Sequence, residues 1–326
     1  MKFETALLEQ LIRAHATPGD EGEVAELLFA SWQMAGLATK RLGMHAVFAD
    51  CEPGSDKPVV LITAHMDSTG FAVDRFYDGF FGVTPLGHPD IEDAEIPAIL
   101  KTRAGRVNGV LRNNKEAEDY TFHPHVACPE VRHGDRVAFA PTLTREGTLI
   151  TAPYLDNRLG CWMLALLAPM VREWNPPWRV VLGATGSEEM CGHGAAVLAH
   201  AVRPGAVVVL DTTYENKEQG VELGKGPVLT LSDASVLLPL SMRDSVMDLF
   251  RNAGLPLQTE VYNFSGTDAR AFPFAGLHSP VLPLLLPGTG NHSPRETADL
   301  RDVETLLNGL RLVLTPPFAC VNPPGC

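Results

Sequence analysis

The sequence predicts an α/β protein: a mixed, mostly parallel sheet flanked by helices, with a small β domain inserted into it. Three observations predict this. Apolar strand-like runs alternate with helical patterns in the C-terminal half, as in "WRVVLGA", "GAAVLAHAV", "AVVVLD" and "SVMDLFRNAG". That alternation needs crossover connections and places helices on both faces of a largely parallel sheet. Residues from about 70 to 150 change character, with Gly, Pro and short alternating runs such as "RVNGVL", "DRVAFA" and "GTLITA". Such a stretch reads as a separate β unit. Polar residues follow several different apolar runs, and in open α/β sheets ligands gather outside the carboxyl ends of the strands.

In chain order, Leu7, Leu8, Leu11 and Ile12 recur at helical spacing, so residues 3–15 read as an amphipathic helix ended by "TPGD". Asp20 followed by Glu23 has the spacing of a capping box for a second helix reaching about Met34. "PVVLITAHMD" reads as a buried strand carrying His65 and Asp67 at its end. After "PYLDNRLG" comes a helix, "GCWMLALLAPMVREW", and then the alternating strands and helices.

The chain has 326 residues, 45% hydrophobic and 20% charged, a globular composition with ample core material. Its net charge of −13 argues against nucleic acid or an anionic membrane surface as partner. The start lacks a signal peptide's continuous apolar core, because Glu4, Glu9 and Arg13 interrupt it. "LGCWMLALLAPMV" is too short to span a bilayer. The cysteines Cys51, Cys128, Cys161, Cys191, Cys320 and Cys326 form no CxxC pair, which argues against a zinc–thiolate knuckle. Cys161 and Cys191 read as reduced core thiols, and a cytoplasmic location is expected.

Each polar motif has a bland alternative. In "HMD", residues two apart on an extended segment point to one side, so Asp67 could hold the His65 ring; a surface His–Asp pair is equally open. Asp156 in "YLDNRLG" has the position of a helix cap, and Asp211 in "VVVLDTT" that of a turn residue. His292 in "GNHSPRE" reads alone as an exposed loop histidine, as do His123 and His125 in "FHPH". "TGSEEMCGHGA" ends a core strand in two adjacent glutamates, Glu188 and Glu189, and charges are rarely buried unless paired or bound to metal. Taken together, His65, Asp156, Glu189, Asp211 and His292 offer two imidazoles and three carboxylates, a donor set that suits Zn, Co or Mn and leaves Glu188 free to handle a proton.

In these motifs the chain resembles the two-metal aminopeptidases that include glutamyl and deblocking aminopeptidases and the tetrahedral dodecameric (TET-type) peptidases. "AHMDSTGF", "LDNRLG", "SEEMCGHGA", "LDTT", "SGTDA" and "NHSPRE" match in order across nearly the whole chain. The resemblance implies a zinc-peptidase-like catalytic domain of residues 1–69 and 152–326, with a β-barrel-like insert at 70–151. It implies two divalent metal ions per subunit, bridged by Asp156, with His65 and Asp211 completing one site and Glu189 and His292 the other. Glu188 would be the general base for a two-metal-activated water, Asp67 would orient His65, and Thr267 and Asp268 would lie near the substrate. It further implies peptide substrates and a homo-oligomer on the scale of a dodecamer. Ser68-Thr69, Ser187 and His193 depart from the family's habits without removing a ligand.

The expected activity is therefore removal of N-terminal residues from peptides. A metal-dependent deacylase or carboxypeptidase on the same core is the first rival, because fold does not settle substrate. A non-catalytic assembly protein is the second, disfavoured by the intact donor set. A glycosidase fits poorly: its two carboxyls must flank the bond about 5 Å or more apart, and neighbours at one strand end do not.

Overall fold

The computed structural model describes residues 4–117, 119–128 and 130–314. Residue 3 of the expected first helix, Cys320 and Cys326 lie outside them. Four strands rich in Val, Ile, Leu and Ala form the centre of a large mixed sheet, in the spatial order Arg179–Thr185, Val59–His65, Ala206–Tyr214, Val281–Thr289. All three pairings among them are parallel. Nearly every residue of these strands is buried, as expected of parallel strands covered on both faces. Antiparallel strands complete both sides: Ala46–Asp50 and Ala38–Leu42 at one edge, and Glu296–Asp299, Leu149–Ala152 and Thr144–Glu146 at the other.

Helices cover both faces. The long apolar helix Leu155–Trp174 buries Trp162, Leu164 and Leu167 against one face, together with the helices Ala6–Arg13, Gly22–Met34 and Leu300–Leu314. On the other face Ala195, Leu198 and Phe272 pack against Leu61, Val181 and Val207. Truncating any of these buried leucines to Ala costs about 2–5 kcal/mol by the general behaviour of cores.

Six strands between Gly70–Phe76 and Arg136–Phe139 close a barrel around Phe71, Val73, Leu100, Leu111, Phe122 and Val137. Gly109 is required there, since a Cβ would stand 2.4 Å from the His123 carbonyl oxygen. Thr144–Glu146 and Leu149–Ala152, which the sequence reading places in the insert, pair instead with the large sheet.

The capping box is not formed. Gly22–Met34 has no side-chain cap; Asp20 and Glu23 turn to Lys101 on the barrel, at 2.7 and 3.3 Å, and Glu23 also pairs with Arg106. Barrel cations thus outcompete the helix terminus for these carboxylates. Cys161 is buried as expected, but Cys191 is exposed, because the turn after Glu189 leaves the sheet before reaching it.

Candidate metal and catalytic site

The carboxyl ends of the central strands share one edge of the sheet. His65 ends its strand and stands in register with Thr185, so the Glu188–Glu189 turn begins beside it. Asp211 lies within its strand rather than at the end, because pairing with Val281–Thr289 continues to Tyr214.

His65 Nδ1 donates to the main-chain carbonyl of Asp67 (3.0 Å), which fixes the ring. Its Nε2 then faces Asp156 Oδ1 at 3.1 Å and Asp211 Oδ1 at 3.2 Å. The carboxylate of Asp67, expected to hold the ring, lies 3.7 Å from Nδ1 and is engaged elsewhere. It accepts the amide hydrogens of Glu188 and Glu189, so Asp67 orients the histidine through its backbone and the glutamate turn through its side chain.

Asp156 is not a helix cap. Residues 156 and 157 have non-helical dihedrals, and the Asp156 side chain points to the histidines. The rest of "LDNRLG" explains how it is held. Asn157 donates to the Leu210 carbonyl next to Asp211 and accepts from the Gly160 amide. Arg158, fully buried, donates to the Leu11 and Met66 carbonyls and to Ser68. A Cβ at position 160 would collide with Asn157 Oδ1 at 2.3 Å, so the motif needs glycine.

Two donor groups result. His65, Asp156 and Asp211 form one; Asp156, Glu189 and His292 form the other. Asp156 belongs to both, with Oδ1 on His65 and Oδ2 3.5 Å from His292 Nε2. His292 Nε2 is also 3.4 Å from Glu189 Oε2. Glu188 belongs to neither group; its carboxylate is 3.7 Å from Arg270 Nη2.

Burial raises Glu188 well above the usual carboxylate range, with Asp268, Asp211 and Glu189 pushing the same way against His65. Burial likewise lifts Glu189 to about 8 and Asp211 to about 6. Asp156 behaves oppositely: burial pushes it up, but the hydrogen bonds with His292 and His65 hold it well below the usual range. Carboxylates packed this way repel one another in a poorly hydrated space, and a cation relieves the repulsion. Glu189 Oε1 is buried with no hydrogen-bond partner among the described residues, an acceptor suited to a positive charge. The donors and this orphaned oxygen fit divalent ions with mixed nitrogen and oxygen ligation.

A cavity of about 400 Å³ opens over both groups, walled by Met190, Tyr214, Tyr262, Phe264 and Arg270. Thr267 and Asp268, expected near the substrate, are not on its wall. Asp268 is 1% exposed and accepts from Thr185, while Thr267 caps the short turn Asp268–Arg270. That turn buries both side chains, and Ser265, Gly266 and Arg270 face the cavity in their place. His123 and His125 lie on the barrel and join neither donor group.

Comparison with known proteins places this geometry. The model of the M42 glutamyl aminopeptidases matches residues 46–308. The chain belongs to the M42 glutamyl aminopeptidase family. It is thus an aminopeptidase, a peptide hydrolase of a metal-dependent family, and it carries clusters of carboxylates and histidines that could hold metal. It is 25% identical to the putative aminopeptidase FrvX of Escherichia coli K12, covering 95% of this chain and 94% of that one. It is also 25% identical to the glutamyl aminopeptidase of Lactococcus lactis, covering 94% and 95%. Among solved structures, its fold matches the TET aminopeptidase of Thaumarchaeota archaeon SCGC AB-539-E09 with a TM-score of 0.87 at 21% identity, over 95% of this chain and 96% of that one. The Pyrococcus horikoshii TET1 peptidase, described as assembling into a tetrahedron or a large octahedral shell, matches with 0.84 at 21% identity, over 95% and 98%.

Sequence reasoning passed over several residues that hold this M42 site. Glu296 accepts the Asp156 amide at 2.7 Å and the His292 amide at 3.1 Å, tying together two donors 136 positions apart. The only sign of it was an acidic residue four positions after His292 in "NHSPRE". Glu21 accepts from the Ser187 amide at 3.0 Å and hydroxyl at 3.2 Å, holding the left-handed residue that precedes the glutamate pair. No local pattern announces Glu21, because it is 166 positions away.

Proposed function

We propose that this M42 chain removes N-terminal residues from peptides with two divalent ions of the Zn, Co or Mn type. His65, Asp156 and Asp211 would hold one, and Asp156, Glu189 and His292 the other. The observation that carries this reading is Asp156, whose two oxygens face a different histidine each. Ions bound there would supply Lewis acidity toward the scissile carbonyl and the attacking water. Glu188 coordinates nothing in this reading. It takes the proton from the attacking water and returns one to the leaving amine. Its carboxylate stands outside both donor groups, 3.7 Å from Arg270 Nη2, and so is free to carry a proton. Asp67, Glu296 and Glu21 hold the donors and the glutamate turn in place.

We also read the barrel, from Gly70–Phe76 to Arg136–Phe139, as an insert in a catalytic domain formed by the residues on either side of it, the working form as a homo-oligomer and the location as cytoplasmic. No helix among the described residues is long and apolar enough to cross a membrane.

The test is a matched substrate pair. Aminoacyl-nitroanilides and free-amine peptides should be cleaved, while N-acyl amino acids and the same peptides blocked by acetylation should not. Equal rates on blocked and free peptides would favour a deacylase or an endopeptidase.

A further inference from the structure

The second donor group is built differently from the first. His65 and Asp211 sit on central strands, whereas His292 sits in a loop, with a φ of 67° and a side chain 22% exposed. Such a residue needs support from outside its own segment. The support comes from residues 87–93, the connection between two barrel strands, Phe81–Leu86 and Glu95–Thr102.

Four contacts tie this connection to the site. The His88 carbonyl accepts from His292 Nδ1 at 3.0 Å, which leaves Nε2 to face Asp156 and Glu189. The Asp90 amide donates to the His292 carbonyl at 3.0 Å. Asp93 pairs with Arg295, closing the far end of the same loop. The Gly87 amide lies 3.0 Å from Met190 Sδ, directly after Glu189. Position 87 has a φ of 74°, and a Cβ there would stand 2.9 Å from Thr69 Cγ2 and 3.3 Å from Glu189 Oε2. The chain therefore passes against a ligand carboxylate at a point that only glycine fits without strain.

We propose that residues 87–93 are a positioning element of the catalytic site, through which the inserted barrel holds His292 and the Glu189 turn and so completes the second metal site. The proposal rests on reading His292 as a metal ligand. A histidine ligand whose other ring nitrogen donates to a carbonyl is fixed in tautomer and orientation, and outer partners of this kind are worth about 10–100-fold in metal affinity. Here that partner belongs to the insert, so the barrel contributes to the chemistry as well as to the surface.

The experiment titrates Co(II) or Zn(II) into the metal-free full-length protein by calorimetry, beside kcat and KM for an aminoacyl-nitroanilide. Gly87→Ala should weaken one of two ions about tenfold or more, leave the other unchanged, and lower kcat more than it raises KM. Asp93→Ala perturbs only an exposed pair, so it should weaken the same ion about two- to fivefold, and the swap Asp93→Arg with Arg295→Asp should restore it. A purely structural loop would lower the unfolding temperature without moving ion affinity, and that result overturns the proposal. His292→Ala separates the two ideas. If it keeps both ions, the ligand reading falls and the proposal with it. If it loses one ion while Gly87→Ala and Asp93→Ala retain wild-type affinity for both, the positioning role alone falls.

Discussion

Asp67 Oδ1 accepts the amide hydrogen of Glu188 at 3.0 Å, and its other oxygen accepts that of Glu189 at 3.1 Å. One buried carboxylate thus sets the direction of both glutamates, and its main chain orients His65. Both partners are donors, so both oxygens must accept. An amide has one acceptor oxygen and would turn its NH₂ toward a second N–H. Asp67→Asn should therefore disturb ion binding and proton transfer together, lowering kcat/KM about 10–100-fold. Ion content beside steady-state kinetics tests this: wild-type values for both would show that the turn holds itself.

Much of the frame was legible because its signals are local. Apolar runs gave three of the four central strands, and the polar residues after them marked the edge where the donors meet; Val281–Thr289, interrupted by Pro283 and Pro287, did not read as a strand. The change after residue 70 to Gly, Pro and short alternating runs marked the barrel. The supporting contacts were not legible, because they join distant segments. Glu296 reads as an ordinary acidic residue until Asp156 and His292 are seen on either side of it. Asp20 and Glu23 read as a cap because their spacing is local, and the barrel lysine that claims them is not. Asp268 reads as substrate-facing because the motif is; only the three-dimensional turn shows its side chain buried under Thr185.

Removing metal should cost stability as well as activity. The two donor groups leave several carboxylates crowded and Glu189 Oε1 without a partner among the described residues. A ligand that binds only the folded state stabilises it by about 2.7 kcal/mol at a hundred times its dissociation constant. Prolonged chelation should abolish hydrolysis and lower the unfolding temperature, and Zn, Co or Mn should restore both. Full activity in protein shown by elemental analysis to be metal-free would sink the two-ion reading.

Acid should loosen the junction between the barrel and the large sheet, and His15 predicts the window. It is buried beside Asp20, Glu23, Lys101, Arg106 and Arg158; burial first, then the charge of Lys101, lowers it to about 3. Asp20 lies 3.4 Å away but is also 2.7 Å from Lys101. Between the unfolded value of 6.5 and about 3 the unfolded chain therefore binds a proton that the folded chain refuses. Stability contributed by neutral His15 is present above pH 6.5 and falls as the pH drops through that interval. His15→Gln removes the titration. Its denaturant midpoint should fall less between pH 7 and pH 4 than that of the wild type, and parallel curves would refute the assignment.

Assembly is testable by mass alone. Exposed Leu237, Leu240 and Phe274 are large apolar groups that a monomer leaves in water. Light scattering should give a mass well above the 35.2 kDa chain. A strict monomer at micromolar concentration would refute the oligomer and leave the chemistry standing.

The two adjacent glutamates should fail in different ways. Glu189 stands in a donor group with Asp156 and His292, and Glu188 stands in none. Glu189→Gln exchanges a charged donor for a neutral one, so one ion should bind more weakly and excess metal should recover part of the activity. Glu188→Gln preserves shape while removing the base. Both ions and the substrate should still bind, and kcat should fall by roughly 10²–10⁴. The division is possible because the turn is irregular: Ser187 is left-handed, Asp67 clamps the two amides, and the side chains then diverge, one toward His292 and the other toward Arg270. Metal stoichiometry measured beside kcat for both variants decides it. Loss of an ion in Glu188→Gln with both retained in Glu189→Gln would reverse the two roles.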